Sequence, residues 1–222
     1  MKIEVIKIDV ANQGHITNTY LVYDEVNGKK EGILIDPADD AMAIIDKIKE
    51  ENVNIKYIVI THAHGDHIGA LEELTVYTKA KIIVHRNDKA ALLGKEENYC
   101  DMLHVEKQDI AEESILQVDD NFSFTVLNMD FEIIHTPGHT SGSICIFEKN
   151  NNSLFTGDTI FCDCYGRCDL FSGSFEDMVH SLRKIFSRFD NVVIYPGHDK
   201  IVNISSAKKR IRMLVAMKGT IL

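Results

Sequence analysis

Residues 61–67 read Thr-His-Ala-His-Gly-Asp-His and bring together side chains that bind metal ions. Four of the seven can serve as ligands, as neutral imidazole or as carboxylate: His62, His64, Asp66 and His67. They follow an apolar run over 55–60, which predicts a buried strand that ends where the motif begins. Imidazoles two residues apart on a strand share one face, and Gly65 lets the chain fold back towards them. The stretch therefore predicts a site at which a metal ion generates hydroxide at neutral pH.

A polar turn with solvated or helix-capping histidines is the alternative interpretation of this stretch. Three further segments favour the metal site, because each has an apolar strand, then glycine, then a ligand-type residue: 133–139, 154–158 and 193–198. They add His139, Asp158 and His198 to the set. Side chains on short loops at strand ends are where active sites lie in α/β proteins. Five histidines and two aspartates suffice for two metal ions, which a carboxylate can bridge.

Composition limits the class of protein. The net charge is −10, from 34 acidic and 24 basic residues, which disfavours nucleic acid as a partner because phosphate binding needs clustered Lys and Arg. The apolar runs are too short to cross a membrane, and the alternating residues 1–8 are typical of a strand rather than a secretory signal. Five cysteines without zinc-ribbon or disulfide-scaffold spacing favour a reducing cytoplasm. We expect one domain over residues 1–222 that acts on a small molecule, with the oligomeric state open.

Hydrophobic periodicity predicts strands interspersed with helices along the chain. We expect strands near 2–8 and over 115–149, and helices over about 41–51, 87–103, 175–186 and 205–217. This order fits two β-sheets faced by helices. The pattern alone does not distinguish that arrangement from a doubly wound single sheet.

With these motifs in the same order, the chain resembles the metallo-β-lactamase-fold hydrolase superfamily, and residues 33–37 resemble its first motif. The resemblance implies an α/β fold, an αββα sandwich of two mixed β-sheets flanked by helices, with two divalent metal ions at one edge between the sheets. It implies one metal held by His62, His64 and His139, a second held by Asp66, His67 and His198, and a bridge between them through Asp158. It also implies that Asp36 orients a ligand imidazole from behind.

Within the superfamily, the glyoxalase II-like (hydroxyacylglutathione hydrolase-like) group is the most similar. Residues 157–161 (Gly-Asp-Thr-Ile-Phe) and 166–170 (Gly-Arg-Cys-Asp-Leu) resemble that group's Gly-Asp-Thr-Leu-Phe and Gly-Arg-x-Asp-Leu. Full glyoxalase II enzymes bind glutathione with a long helical C-terminal extension. Only residues 199–222 follow His198 here, so we expect that extension, and with it the glutathione-binding residues, to be missing.

The resemblance implies hydrolysis of a thioester or ester carbonyl by a hydroxide that bridges two metal ions. Asp66 would bind metal, orient the hydroxide and act as the catalytic carboxylate. Nitrogen and oxygen donors suit zinc, which is the expected metal, and also iron or manganese. The alternative is a mononuclear iron persulfide dioxygenase that uses only His62, His139 and Asp158.

Two further side chains are candidates for the surroundings of the site. Arg167 could bind a substrate carboxylate, or it could lock its own loop through Asp169. His15 falls outside the ligand pattern but lies in a glycine-containing loop that could form the rim of the site.

Overall fold

Two six-stranded mixed β-sheets form the centre of the computed structural model, which describes residues 1–220 and 222. The first sheet contains, in spatial order, β1 (Lys2–Val10), β2 (His15–Val26), β3 (Lys29–Ile35), β4 (Asn54–Val59), β5 (Lys81–His85) and β6 (Ile115–Val118). The second contains, in spatial order, β7 (Ser123–Val126), β8 (Met129–His135), β9 (Ile144–Glu148), β10 (Ser153–Gly157), β11 (Val193–Pro196) and β12 (Val202–Asn203). Strands β3 to β6 pair parallel, as do β10 and β11, and the other neighbours pair antiparallel.

Helices cover the outer face of each sheet. The described residues form α1 (Ala41–Glu51), α2 (Gly65–Ile68), α3 (Leu71–Thr78), α4 (Lys89–Leu92), α5 (Cys100–Leu103), α6 (Phe175–Arg188) and α7 (Ile204–Met217). Helices α1 to α5 pack against the first sheet, and α6 and α7 pack against the second. Within residues 1–220 and 222, every helix is too short or too polar to span a lipid bilayer.

Alternation along the strands places side chains in three apolar clusters. On β3, Ile33 and Ile35 face the second sheet, whereas Leu34 faces the helices. On β8, Ile133 lies between the sheets and Ile134 packs beneath α6 and α7. One cluster separates the sheets and the other two lie under the helices, which gives four layers. The predicted αββα sandwich of two mixed sheets is therefore confirmed.

The single helix predicted over 87–103 is wrong. The structure has a 3₁₀ turn (Arg86–Asp88) that leads into α4, and α5 begins only at Cys100. Gly94 (φ 64°) and Tyr99 (φ 61°) take left-handed conformations, which interrupt a helix. Asn98 Nδ2 donates to the Ala91 carbonyl oxygen (3.0 Å), so a side-chain hydrogen bond stands where a helical one was expected.

Hydrogen bonds join the two sheets at one edge. Ile144 N donates to the Thr61 carbonyl oxygen (2.9 Å), and Asn18 N donates to that of Gly197 (2.7 Å). Tyr20 Oη, which is buried, donates to the Pro196 carbonyl oxygen (2.6 Å). Each bond links residues that are far apart in sequence, so together they fix the position of one sheet against the other.

His85 and His135 stack where β5 and β8 end, with ring centroids 3.8 Å apart and an interplanar angle of 11°. His85 is only 4% exposed. Burial, assisted by the neighbouring His135, lowers the pKa of His85 from 6.5 to about 4. In the unfolded chain this imidazole titrates near 6.5, so between pH 6.5 and 4 the unfolded state binds the proton more readily. The contribution of His85 to stability is therefore complete above pH 6.5 and is lost as the pH falls.

We predict that the contribution of His85 to the free energy of unfolding falls by about 2 kcal/mol between pH 7.5 and pH 5, because this imidazole takes up a proton in the unfolded chain and not in the folded protein. Urea unfolding of the metal-free unmodified and His85→Gln proteins at both pH values measures this contribution as a difference, because His62 and His64 affect both proteins alike. His85→Gln should show a correspondingly flatter pH dependence. His180→Gln, at an exposed position of α6, is the matched control and should behave as the unmodified chain. An unchanged pH dependence in His85→Gln would contradict the prediction.

Candidate metal centre

Loops at the ends of β4, β8, β10 and β11 bring all seven predicted ligand residues to the edge where the sheets are joined. Strand β4 ends at Val59, so His62 and His64 lie in the loop beyond it rather than on the strand itself. Asp66 and His67 lie on the short helix α2. Three groups at this edge offer ligand atoms within 4.8 Å of one another: His62, His64 and His139; His62, His67 and Asp158; His15, Asp66 and His198.

Three buried polar atoms in this cluster have no hydrogen-bond partner. They are His62 Nε2, His67 Nε2 and Asp158 Oδ1. A buried polar atom without a partner costs free energy, and native proteins rarely leave one so. Three at one point, all on ligand-type groups, fit a site shaped to hold metal ions.

The other ring nitrogens of two histidines are held by backbone oxygens. His139 Nδ1 donates to the Arg167 carbonyl oxygen (2.8 Å). His198 Nδ1 donates to that of Ile16 (2.8 Å). With Nδ1 bonded outward in each case, Nε2 is the ring nitrogen that faces the cluster and that binds a metal ion when the imidazole is neutral.

Asp36 performs the same task for His67. Its Oδ2 lies 2.9 Å from His67 Nδ1, and it also accepts hydrogen bonds from Thr61 N (2.7 Å, Oδ1) and Thr61 Oγ1 (2.6 Å, Oδ2). Asp36 itself has a left-handed backbone (φ 48°) at the end of β3 and is 2% exposed. The structure thus places Asp36 behind a candidate ligand imidazole, and its role in orienting a metal ligand stays a prediction.

Asp158 lies between the two groups of candidate ligands. Its Oδ1 is 3.4 Å from His67 Nε2, while its Oδ2 is 3.5 Å from both His139 Nε2 and His198 Nε2. Asp66 Oδ2 is 3.3 Å from His198 Nε2. One carboxylate can therefore reach both halves of the cluster.

Burial and charge set the protonation of the cluster. Burial lowers the pKa of His64 to about 3 and that of His62 well below its usual value. Burial also opposes protonation of His67, but Asp66, Asp158 and Asp36 together raise its pKa to about 10. Two imidazoles are thus kept neutral, while the carboxylates demand a nearby positive charge. That combination suits a divalent cation.

Glycines let the loops approach one another, as the strand-glycine-ligand pattern predicts. A Cβ on Gly197 would lie 2.4 Å from Asp158 Oδ1 and 2.7 Å from His67 Cε1. At Gly157 the backbone has φ 45°, and a Cβ would lie 2.4 Å from Thr61 Oγ1. Any larger residue at either position would displace a candidate ligand or the threonine that holds Asp36.

Asp88 is a buried residue of the site that the sequence patterns did not identify. Its Oδ2 accepts hydrogen bonds from Ala63 N (3.0 Å) and Thr140 Oγ1 (2.8 Å). Gly142 N also donates to it. Asp88 therefore ties the His62–His64 loop to the loop that carries His139. No glycine lies between β5 and Asp88, so the strand-glycine-ligand pattern did not identify this residue.

His15 and Arg167 line the entrance. His15 begins β2 with its side chain 46% exposed, and its Nε2 lies 2.7 Å from Asp66 Oδ2, so it reaches a candidate ligand from the rim of the site. Arg167 forms a two-point pair with Asp169, through Nε (2.8 Å) and an Nη (2.9 Å). The pairing agrees with a role in locking the loop, and the contact of Arg167 with substrate stays a prediction.

Comparison with known proteins agrees with this architecture. The model of the metallo-beta-lactamase superfamily matches residues 13–198. Hydroxyacylglutathione hydrolase GloC of Haemophilus influenzae is 30% identical over 94% of this chain and 96% of its own length. A hydroxyacylglutathione hydrolase of Pelagibacter ubique is 34% identical over 82% of this chain, but the chain spans only 66% of that protein.

Two other proteins are also similar. The probable polyketide biosynthesis zinc-dependent hydrolase BaeB of Bacillus velezensis is 29% identical over 88% of this chain and 78% of its own length. The crystal structure of BLEG-1 B3 metallo-beta-lactamase superposes with a TM-score of 0.82 at 27% identity, covering 96% of this chain and 99% of that one. The chain therefore belongs to the metallo-beta-lactamase superfamily, in its glyoxalase II-like (hydroxyacylglutathione hydrolase-like) group.

Proposed function

We propose that this protein hydrolyses a thioester or ester carbonyl with the help of two divalent metal ions. The observation that carries the proposal is the convergence of the unpartnered His62 Nε2, His67 Nε2 and Asp158 Oδ1 within one buried cluster. We assign one metal to His62, His64 and His139, the other to Asp66, His67 and His198, and a bridging position to Asp158.

The donor set is entirely nitrogen and oxygen, which suits zinc, and iron or manganese are the other candidates. When bound, the two ions supply hydroxide at neutral pH and polarise the substrate carbonyl. The name of BaeB, a zinc-dependent hydrolase, supports the choice of zinc.

The side chains around the ions have distinct tasks in this proposal. Asp36 holds the His67 ring through Nδ1, and backbone oxygens hold the rings of His139 and His198, so these imidazoles keep a fixed orientation. Asp66 is the catalytic carboxylate, which orients the nucleophile. His15 donates to Asp66 Oδ2, and this bond holds the carboxylate in place.

Metal removal tests the proposal. We expect about two metal ions per chain, loss of thioester hydrolysis on complete chelation, and recovery on addition of zinc. Asp158→Ala should lower metal content and turnover together, whereas His180→Ala, at an exposed position of α6, should change neither. Hydrolysis by fully demetallated protein would refute the proposal. One iron per chain, with oxygen consumption on a persulfide, would favour the dioxygenase alternative.

We predict that Asp88→Ala weakens metal binding by about 10- to 100-fold, because it releases Ala63 N and Thr140 Oγ1 and frees the two ligand loops. Competition with a chromophoric chelator measures the affinity. Asp88→Asn keeps one acceptor oxygen, so its metal affinity should lie between that of the unmodified protein and that of Asp88→Ala. Asp46→Ala, at an exposed position of α1, is the control. Unchanged affinity in a folded Asp88→Ala protein would contradict the prediction.

A further inference from the structure

A cavity of about 260 Å³ lies beside the candidate metal centre and has two apolar walls. Tyr99, Met102 and Leu103, in and before α5, form one wall. Phe161 and Leu170, from the loop after β10, form the other. The volume is below the roughly 300–1,000 Å³ of pockets for drug-sized ligands, so the cavity suits a short chain.

Tyr99 fixes the position of both walls. Its Oη accepts a hydrogen bond from Phe171 N (2.7 Å), which joins the two walls directly. Its ring meets the ring of His64 edge-on, with centroids 5.3 Å apart. The apolar space is therefore held at a constant distance from the candidate ligands.

Outside the histidine cluster, the cavity has few positively charged groups that could bind an anion. Apart from histidines, the described residues that line the cavity include one cationic side chain, that of Arg167. Its guanidinium is already paired at two points with Asp169. The pair is exposed (60% and 71%), so a carboxylate at this end of the cavity would have to compete with Asp169 for the guanidinium.

A second groove of about 540 Å³ shares Gly166 and Arg167 with the cavity. It is wider and also carries Phe175 and Lys218. The small cavity borders the candidate ligands and the groove does not, so the groove can take only the part of a substrate that extends past Gly166 and Arg167. The small cavity suits the acyl half, whose carbonyl must reach the metal centre.

We propose that the substrates are thioesters with a short, uncharged, apolar acyl group, which the cavity holds between Leu103 and Leu170. The inference rests on the proposed thioester hydrolysis and adds to it the class of acyl group. Asp169 acts as a positioning residue, because it keeps Arg167 from binding a negatively charged acyl group.

Paired substrates test the charge preference. S-butanoyl- and S-succinyl-N-acetylcysteamine share a thiol and a chain length, and differ in a terminal carboxylate. After subtraction of the uncatalysed rates, we expect kcat/KM to favour the butanoyl substrate by about 10-fold, because the carboxylate would have to displace Asp169 from Arg167 to gain a partner. Equal or higher kcat/KM for the succinyl substrate would overturn the inference.

Asp169→Ala tests the positioning role. Freeing Arg167 should lower the butanoyl-to-succinyl preference by about 10-fold, because the guanidinium can then bind the carboxylate. Asp119→Ala removes the partner of Arg86 at an exposed pair and should leave the preference unchanged. An unchanged preference in Asp169→Ala would refute the role assigned to Asp169.

The affinity for compounds that cannot be hydrolysed distinguishes failure of this inference from failure of the proposed function. The S-butyl and S-methyl thioethers of N-acetylcysteamine cannot be hydrolysed, so calorimetry measures their affinity independently of turnover. We expect the butyl compound to bind about 10-fold more tightly, because the cavity removes its methylene groups from water, and Leu170→Asp to abolish the difference. Equal affinities would overturn the inference. If the S-butyl compound binds more tightly than the S-methyl compound but the protein hydrolyses no thioester, only the hydrolase proposal is refuted.

Discussion

The whole site depends on keeping several imidazoles and carboxylates together with little exposure to solvent. Such groups tolerate burial only when each is paired or binds a cation. In this protein the pairing comes from outside the cluster, through Asp36 and the carbonyl oxygens of Ile16 and Arg167. Three inward atoms, His62 Nε2, His67 Nε2 and Asp158 Oδ1, have no hydrogen-bond partner among the described residues and are free to bind metal. The fold therefore fixes the orientation of the ligand groups from outside and leaves part of the inner surface unsatisfied without metal.

The sequence allowed the candidate ligand residues to be predicted because they follow a local pattern, whereas the sandwich was chosen over a doubly wound single sheet only by resemblance to a known superfamily. A strand, a glycine and a ligand-type residue lie within a few positions of one another, and this pattern recurs around His139, Asp158 and His198. Alternate side chains along β3 and β8 point to the space between the sheets and to the helices, which assigns each strand to its layer. Resemblance to a known superfamily then gave each ligand its place.

Features that depend on distant contacts could not be predicted. Asp88 acts through Ala63 and Thr140, which lie 25 and 52 positions away. The predicted helix over 87–103 failed for a related reason. Apolar periodicity does not reveal that Tyr99 leaves the helical conformation and binds Phe171 on another loop. Tyr99, Met102 and Leu103 of this interrupted segment line the apolar cavity, so the error lies in the part of the chain to which we assign the choice of acyl group.

The bonds between the sheets have a consequence for how the protein assembles. His62, His64, Asp66 and His67 follow a strand of the first sheet, while His139, Asp158 and His198 follow strands of the second. Neither half of the chain carries both candidate metal positions in full. Both ions can therefore bind fully only after the sheets have docked, and bound metal would then stabilise the docked sheets against separation.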